Sequence, residues 1–64
     1  MKTTRECLAD ISARVTVRRR CAELMRDEHE RGSRFWEVFD ATAAELRSVE
    51  RDIANAQALL PLDT

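Results

Sequence analysis

Two thiols, one imidazole and a run of arginines are the side chains of this 64-residue chain whose types could support chemistry. Cys7 and Cys21 would be nucleophiles or metal ligands as thiolates. They are fourteen residues apart, so on one helix they stand about 21 Å apart, far beyond disulfide reach within the chain. His29 lies a further turn or two along the same helix and cannot share a metal with either. The thiols read as small apolar flank residues, with a disulfide between two chains as the alternative. His29, the only histidine, has acids beside it. A general base needs a positioned partner and a cleft, and no serine or thiol is placed as its nucleophile. A single glycine leaves no room for a glycine-rich phosphate loop. The remaining carboxylates are spread as a solvated helix face requires. The sequence therefore predicts a protein that is not an enzyme, with no cofactor and no metal.

The arginines are the other candidates. Arg14, Arg18, Arg19 and Arg20 fall within seven residues, with no acid between Asp10 and Glu23. Guanidinium forks match phosphate geometry, and phosphate contact would give salt-dependent affinity. Consecutive residues on a helix point about 100° apart, however. On the spacing, Arg18 faces the apolar seam, Arg19 flanks it and Arg20 faces away. No aromatic side chain is interleaved for base stacking. Solvated arginines, or arginines paired with the acidic second half, are the plainer reading. Nucleic-acid binding is the alternative.

The elements that must carry these side chains are helices. One glycine and one proline leave too few turn residues for a sheet protein. Thr3 and Glu6 have capping-box spacing, and no breaker follows before about Glu30. The series Thr4, Leu8, Ile11, Val15, Arg18, Ala22, Met25, His29 steps 4-3-4-3-4-3-4 and marks the apolar seam, with Cys7 and Cys21 on its flank. The stem of Arg18 can cover apolar surface while its head reaches water. Val17 and Leu24 lie off the seam. Arg31-Gly32-Ser33 is the turn: Gly32 can take the left-handed conformation that ends a helix, and Ser33 is a natural N-cap. Asp27, Glu28 and Glu30 oppose the dipole of the first helix and predict a frayed end. The second helix covers about 34–60, with the seam Phe35, Phe39, Thr42, Leu46, Val49, Ile53, Ala56, Leu60. Pro61 stops it and 61–64 form a loose tail.

The expected fold is all-α: one antiparallel hairpin of two helices, each roughly 27 residues or about 40 Å long. Counting away from the loop pairs Met25 with Phe39, Ala22 with Thr42, Val15 with Val49, and Ile11 with Ile53. Residues 1–34 hold nine basic groups and six acids, and residues 35–64 two basic groups and six acids. The halves, at +3 and −4, attract weakly. A chain this short buries little surface, and Phe35, Trp36, Val38, Phe39, Val17, Cys21 and Leu24 exceed what one facing helix can cover. A second hairpin would cover them and complete a four-helix bundle, so a homodimer is expected. Its orientation stays open. Phe35 and Trp36, at the loop end, are the candidate anchors for a further protein partner.

The first 20 residues contain no apolar run and no stretch approaches the ~20 apolar residues of a membrane span. The expected location is therefore the cytoplasm, with reduced thiols and no membrane partner.

Two resemblances add to this reading. Two equal heptad helices joined at Arg31-Gly32-Ser33 look like the plasmid copy-control family that represses primer formation, helical-hairpin dimers that bind paired RNA loops. That likeness is one of layout, and no RNA-contacting residue transfers to a position here. The run from Arg18 to Asp27, followed by Gly32-Ser33-Arg34-Phe35-Trp36, is similar to the short accessory proteins of lambdoid phages encoded between the exonuclease and excisionase genes. That resemblance implies a small helical dimer, acting in the host cytoplasm on developmental regulation through protein contacts. It implies no site residues.

Overall fold

A computed structural model describes residues 1–61 as two helices, α1 (Thr4–Asp27) and α2 (Arg34–Leu59), packed against each other as a hairpin. The Cα trace measures 47 × 19 × 11 Å. No strand occurs among the described residues. Of the tail, residues 62–64 lie outside the described residues. No described helix is long and apolar enough to cross a membrane.

Each helix begins where its capping residue dictates. The Thr3 hydroxyl accepts from the Glu6 N–H at 3.1 Å and the Glu6 carboxylate accepts from the Thr3 N–H at 3.4 Å, a complete capping box. The Ser33 hydroxyl accepts from the Trp36 N–H at 3.3 Å. These bonds satisfy donors that have no partner inside the helix.

α1 ends at Asp27, about three residues before the expected position near Glu30. The last donors fall back on the tighter i to i−3 pattern: Glu28 N–H to Met25 carbonyl at 3.3 Å and His29 N–H to Arg26 carbonyl at 3.0 Å. Three acids in this stretch meet the negative end of the helix dipole, against Arg26 as the only base in the last turn, which favours this early end. Gly32 accordingly does not close α1. It sits at φ +85° as the third residue of the turn Glu30-Arg31-Gly32-Ser33, closed by the Ser33 N–H on the Glu30 carbonyl at 2.9 Å. That position takes a positive φ in a type II turn. α2 ends at Leu59 because the ring of Pro61 drives Leu60 to an extended conformation (ψ 142°). Pro61 itself is tied down, since its carbonyl accepts from the Arg5 guanidinium at 2.8 Å.

The line of contact between the helices differs from the apolar heptads. On α1 the buried and half-buried residues include Leu8, Ser12, Val15, Arg19, Ala22, Arg26 and, just past its end, His29. On α2 they include Trp36, Phe39, Ala43, Leu46, Glu50, Ile53, Gln57 and, at its cap, Leu60. Leu8, Val15, Phe39, Leu46, Ile53 and Leu60 thus face inward as expected. Ile11 (47% exposed), Met25 (41%) and Phe35 (62%) do not, nor do Arg18 and Thr42. Val49 is half-buried at the edge.

Each helix is therefore turned by one column of its heptad, about 50°, away from the expected facing. Two causes are visible. Turning keeps Ala22 (7% exposed) in the contact and brings in Ala43 (fully buried), and such small side chains let the helices approach closely. It also brings Arg19, Glu50, Arg26 and Asp40 into reach of one another. The cross-helix pairs Thr16–Glu50, Arg26–Asp40 and Arg5–Pro61 share a residue-number sum of 66. The expected pairings sum to 64, so Ala22 is level with Ala43–Ala44 and not with Thr42.

Gly32→Ala isolates the backbone requirement of the turn. A β-carbon there would meet nothing within 4 Å, so any loss comes from the positive φ. We expect urea denaturation to show a loss of about 1 kcal/mol with helicity unchanged.

Candidate interaction surface

The turning of both helices divides the hairpin into two unlike faces. One is a network of ion pairs. Arg19 donates to Glu50 at 2.6 Å and also to Glu23. Arg47 donates to Glu23 at 2.5 Å and the Thr16 hydroxyl to Glu50 at 3.0 Å. Arg26 bridges Asp40 at 2.9 Å and Asp27 at 3.1 Å. The cleft here is lined by Arg19, Ala44, Arg47, Glu50 and Arg51. Every acceptor in it belongs to a carboxylate already held by a guanidinium of the same hairpin.

The opposite face is apolar. It carries Ile11, Arg18 and Met25 from α1, with Cys7, Arg14 and Cys21 beside them. From α2 it carries Phe35, Val38, Thr42, Val49 and Ala56. Helical geometry sets these together: α1 and α2 run antiparallel, so the residues one column away from the ion-pair side on each helix share a face. Phe35 and Val38, at 62% and 54% exposure, protrude into solvent. The Thr42 hydroxyl donates to the Val38 carbonyl at 2.9 Å, which removes its polar group from this surface. At the loop end His29 stacks on Phe35 and Phe39, with ring centroids 5.3 and 5.8 Å apart. Val17 and Leu24 are exposed on the back of α1.

The expected anchors separate. Phe35 projects from the apolar face. Trp36 is half-buried, with the Arg26 and Arg31 guanidinium carbons 5.8 and 5.9 Å from its ring. Such cation–π contacts hold it in the fold.

The arginine group separates too. Arg19 is inside the contact and tied to two carboxylates, and Arg18 is exposed, the reverse of the expected positions. Arg18 lies on the apolar face between Ile11 and Met25 and Arg14 lies beside it, both lining an open cleft with Ala13 and Val17, and Arg20 points to the far side. The structure does not bring the four together. The Arg19–Glu50 pair is of the kind expected of arginines facing the acidic second half; that Arg19 and not Arg18 makes it depends on an acceptor 31 residues away.

Cys7 and Cys21 are both free thiols, exposed on α1. Among the described residues no three His, Cys, Asp or Glu side chains cluster so as to hold a metal ion.

The Arg47 and Arg19 guanidiniums hold the Glu23 carboxyl below its ordinary value of 4.5, against a smaller opposing effect of desolvation. Lys2 does the same for Asp10, whose ordinary value is 3.8. A depressed folded value stabilises the hairpin above the unfolded value, and that stability is lost as pH falls through the folded value. Thermal melts at decreasing pH should therefore show a falling Tm below about pH 4.5. Glu23→Gln should have a lower Tm at neutral pH and a shallower acid dependence.

Compared with known proteins, the chain matches no family model, no curated protein and no solved structure.

Proposed function

We propose that this protein is a non-catalytic helical adaptor or modulator, that its hairpins pair through their apolar faces into a homodimeric four-helix bundle, and that it meets a further protein partner at its loop end. One observation carries the reading. Ile11, Met25, Phe35 and Val38 stand exposed on a single face, while Arg19, Arg26, Arg47, Glu23, Asp40 and Glu50 on the other face pair with one another. An exposed apolar surface of this kind, interrupted on α1 by Arg18, marks an interaction site. Only Ala22, Ala43 and Ile53 are buried among the described residues, a small core for a stable chain. Pairing supplies the missing burial. This mode of action agrees with the resemblance to the phage accessory proteins, whose setting is the host cytoplasm. Phe35 is the leading anchor, and Trp36 supports the loop end behind it.

The arginines serve the fold and the rim of the apolar face in this reading. The nucleic-acid alternative is less favoured, since Arg19 is held by Glu50 and Glu23 and Arg20 points away from Arg14 and Arg18.

Sedimentation of the full chain tests the reading. The wild type should associate at micromolar concentration. Met25→Asp and Phe35→Asp should each weaken association at least tenfold, with the helical signal of the monomer retained. Trp36→Ala should lower stability as well as association. A chain that stays monomeric at tens of micromolar, or associates equally well with both aspartates, refutes it.

A further inference from the structure

The homodimer just proposed has two ways to stack one apolar face on another. Either α1 lies over the partner's α2 with both loops at the same end, or α1 lies over the partner's α1 with the loops at opposite ends. Resting on the proposed pairing, we propose the first arrangement, selected by the charges on the rim of the apolar face.

The direction of the apolar stripes indicates a second copy. In a square bundle each helix points its core residues midway between its two neighbours, about 45° from either. The stripe of Leu8, Ile11, Val15, Ala22 and Met25, interrupted by Arg18, is turned about 50° from α2 toward the open face. The stripe of Phe35, Phe39, Leu46, Val49 and Ile53 is turned the same amount toward the same face. Both helices thus aim their apolar stripes at the centre of a four-helix bundle, of which the hairpin supplies half. The area agrees. A face of 47 × 19 Å offers roughly 900 Å² per partner, against the ~800 Å² per partner of a stable interface.

The rim then selects the orientation. The positions bordering the open face are Cys7, Arg14, Cys21 and Glu28 on α1, and Val38, Glu45, Asp52 and Leu59 on α2. Residues level with each other sum to about 66, as Thr16–Glu50 and Arg26–Asp40 show. With α1 over the partner's α2, Arg14 is level with the partner's Asp52, and the symmetry repeats the pair. Arg18 lies within a turn of the same carboxylate, and Cys7 meets the partner's Leu59, which is 85% exposed in the hairpin. With α1 over the partner's α1, Arg14 and Arg18 of both copies converge at mid-helix. Glu45 and Asp52 are then level with the partner's Asp52 and the partner's Glu45. Like charges set opposite each other disfavour that arrangement. The same-end arrangement also joins the His29–Phe35–Phe39 stacks of both copies at one end.

The test uses the full chain carrying Cys7→Ala, Cys21→Ala and Glu30→Cys, spin-labelled at residue 30 beside the loop. Light scattering first establishes its mass. Pulsed electron resonance should then give a separation under about 25 Å, since the loops share one end. The opposite arrangement separates the labels by about 40 Å, the length of a 26-residue helix. A long distance in a proven dimer overturns the orientation and leaves the proposed pairing standing. A monomer by light scattering for both the labelled and the wild-type chain overturns both. Charge exchange supplies the second arm. Arg14→Asp should weaken dimerisation about tenfold, and Arg14→Asp with Asp52→Arg should restore it. Absence of restoration overturns the assignment of the rim.

Discussion

The burial of Ala22 and Ala43 where the two helices meet governs the rest of this molecule. Two side chains with no bulk let the helices approach, and that approach fixes their rotation and register. Once the alanines are buried, Ser12, Arg19 and Arg26 turn inward on α1 and Trp36, Glu50 and Gln57 on α2. Ile11, Met25 and Phe35 turn outward as a consequence. The two faces of the hairpin are thus products of one packing choice.

That choice explains why charged side chains occupy part of the contact between helices. Arg19 and Glu50 are mostly covered, with 21% and 24% of their side chains exposed. Desolvating either alone would be costly, and the mutual bond with additional help from Glu23 and Thr16 offsets that cost. No buried side-chain polar atom lacks a partner among the described residues. The arrangement secures register more than stability: Glu50 can serve Arg19 and Thr16 together only at one offset of the helices.

The aromatic end shows how local sequence and packing share the work. Ser33 starts α2, so Phe35, Trp36 and Phe39 fall within its first two turns. Phe39 and His29 close the end of the contact, Trp36 lies against Arg26 and Arg31, and Phe35 is left outside with one face on the imidazole. A short α1 contributes as well. Because it stops at Asp27, His29 leaves the helix and folds back onto the phenyl rings.

Local chemistry was legible in the chain itself. The Thr3–Glu6 capping box, the Ser33 cap, the glycine turn and the proline stop each act over four residues or fewer, so sequence alone determined two helices and a hairpin. The apolar heptads were equally legible, because their period is intrinsic to the helix. Which way those heptads point was not. Rotation depends on what meets across the contact, and the deciding residues, Ala22 with Ala43 and Arg19 with Glu50, are separated by 21 and 31 positions. The heptad alone therefore placed Ile11, Met25 and Phe35 in the seam and put Arg19 on its flank. Only the tertiary structure could weigh close approach of alanines and a shared carboxylate against apolar burial, and it settled on a facing that leaves one side of the hairpin apolar.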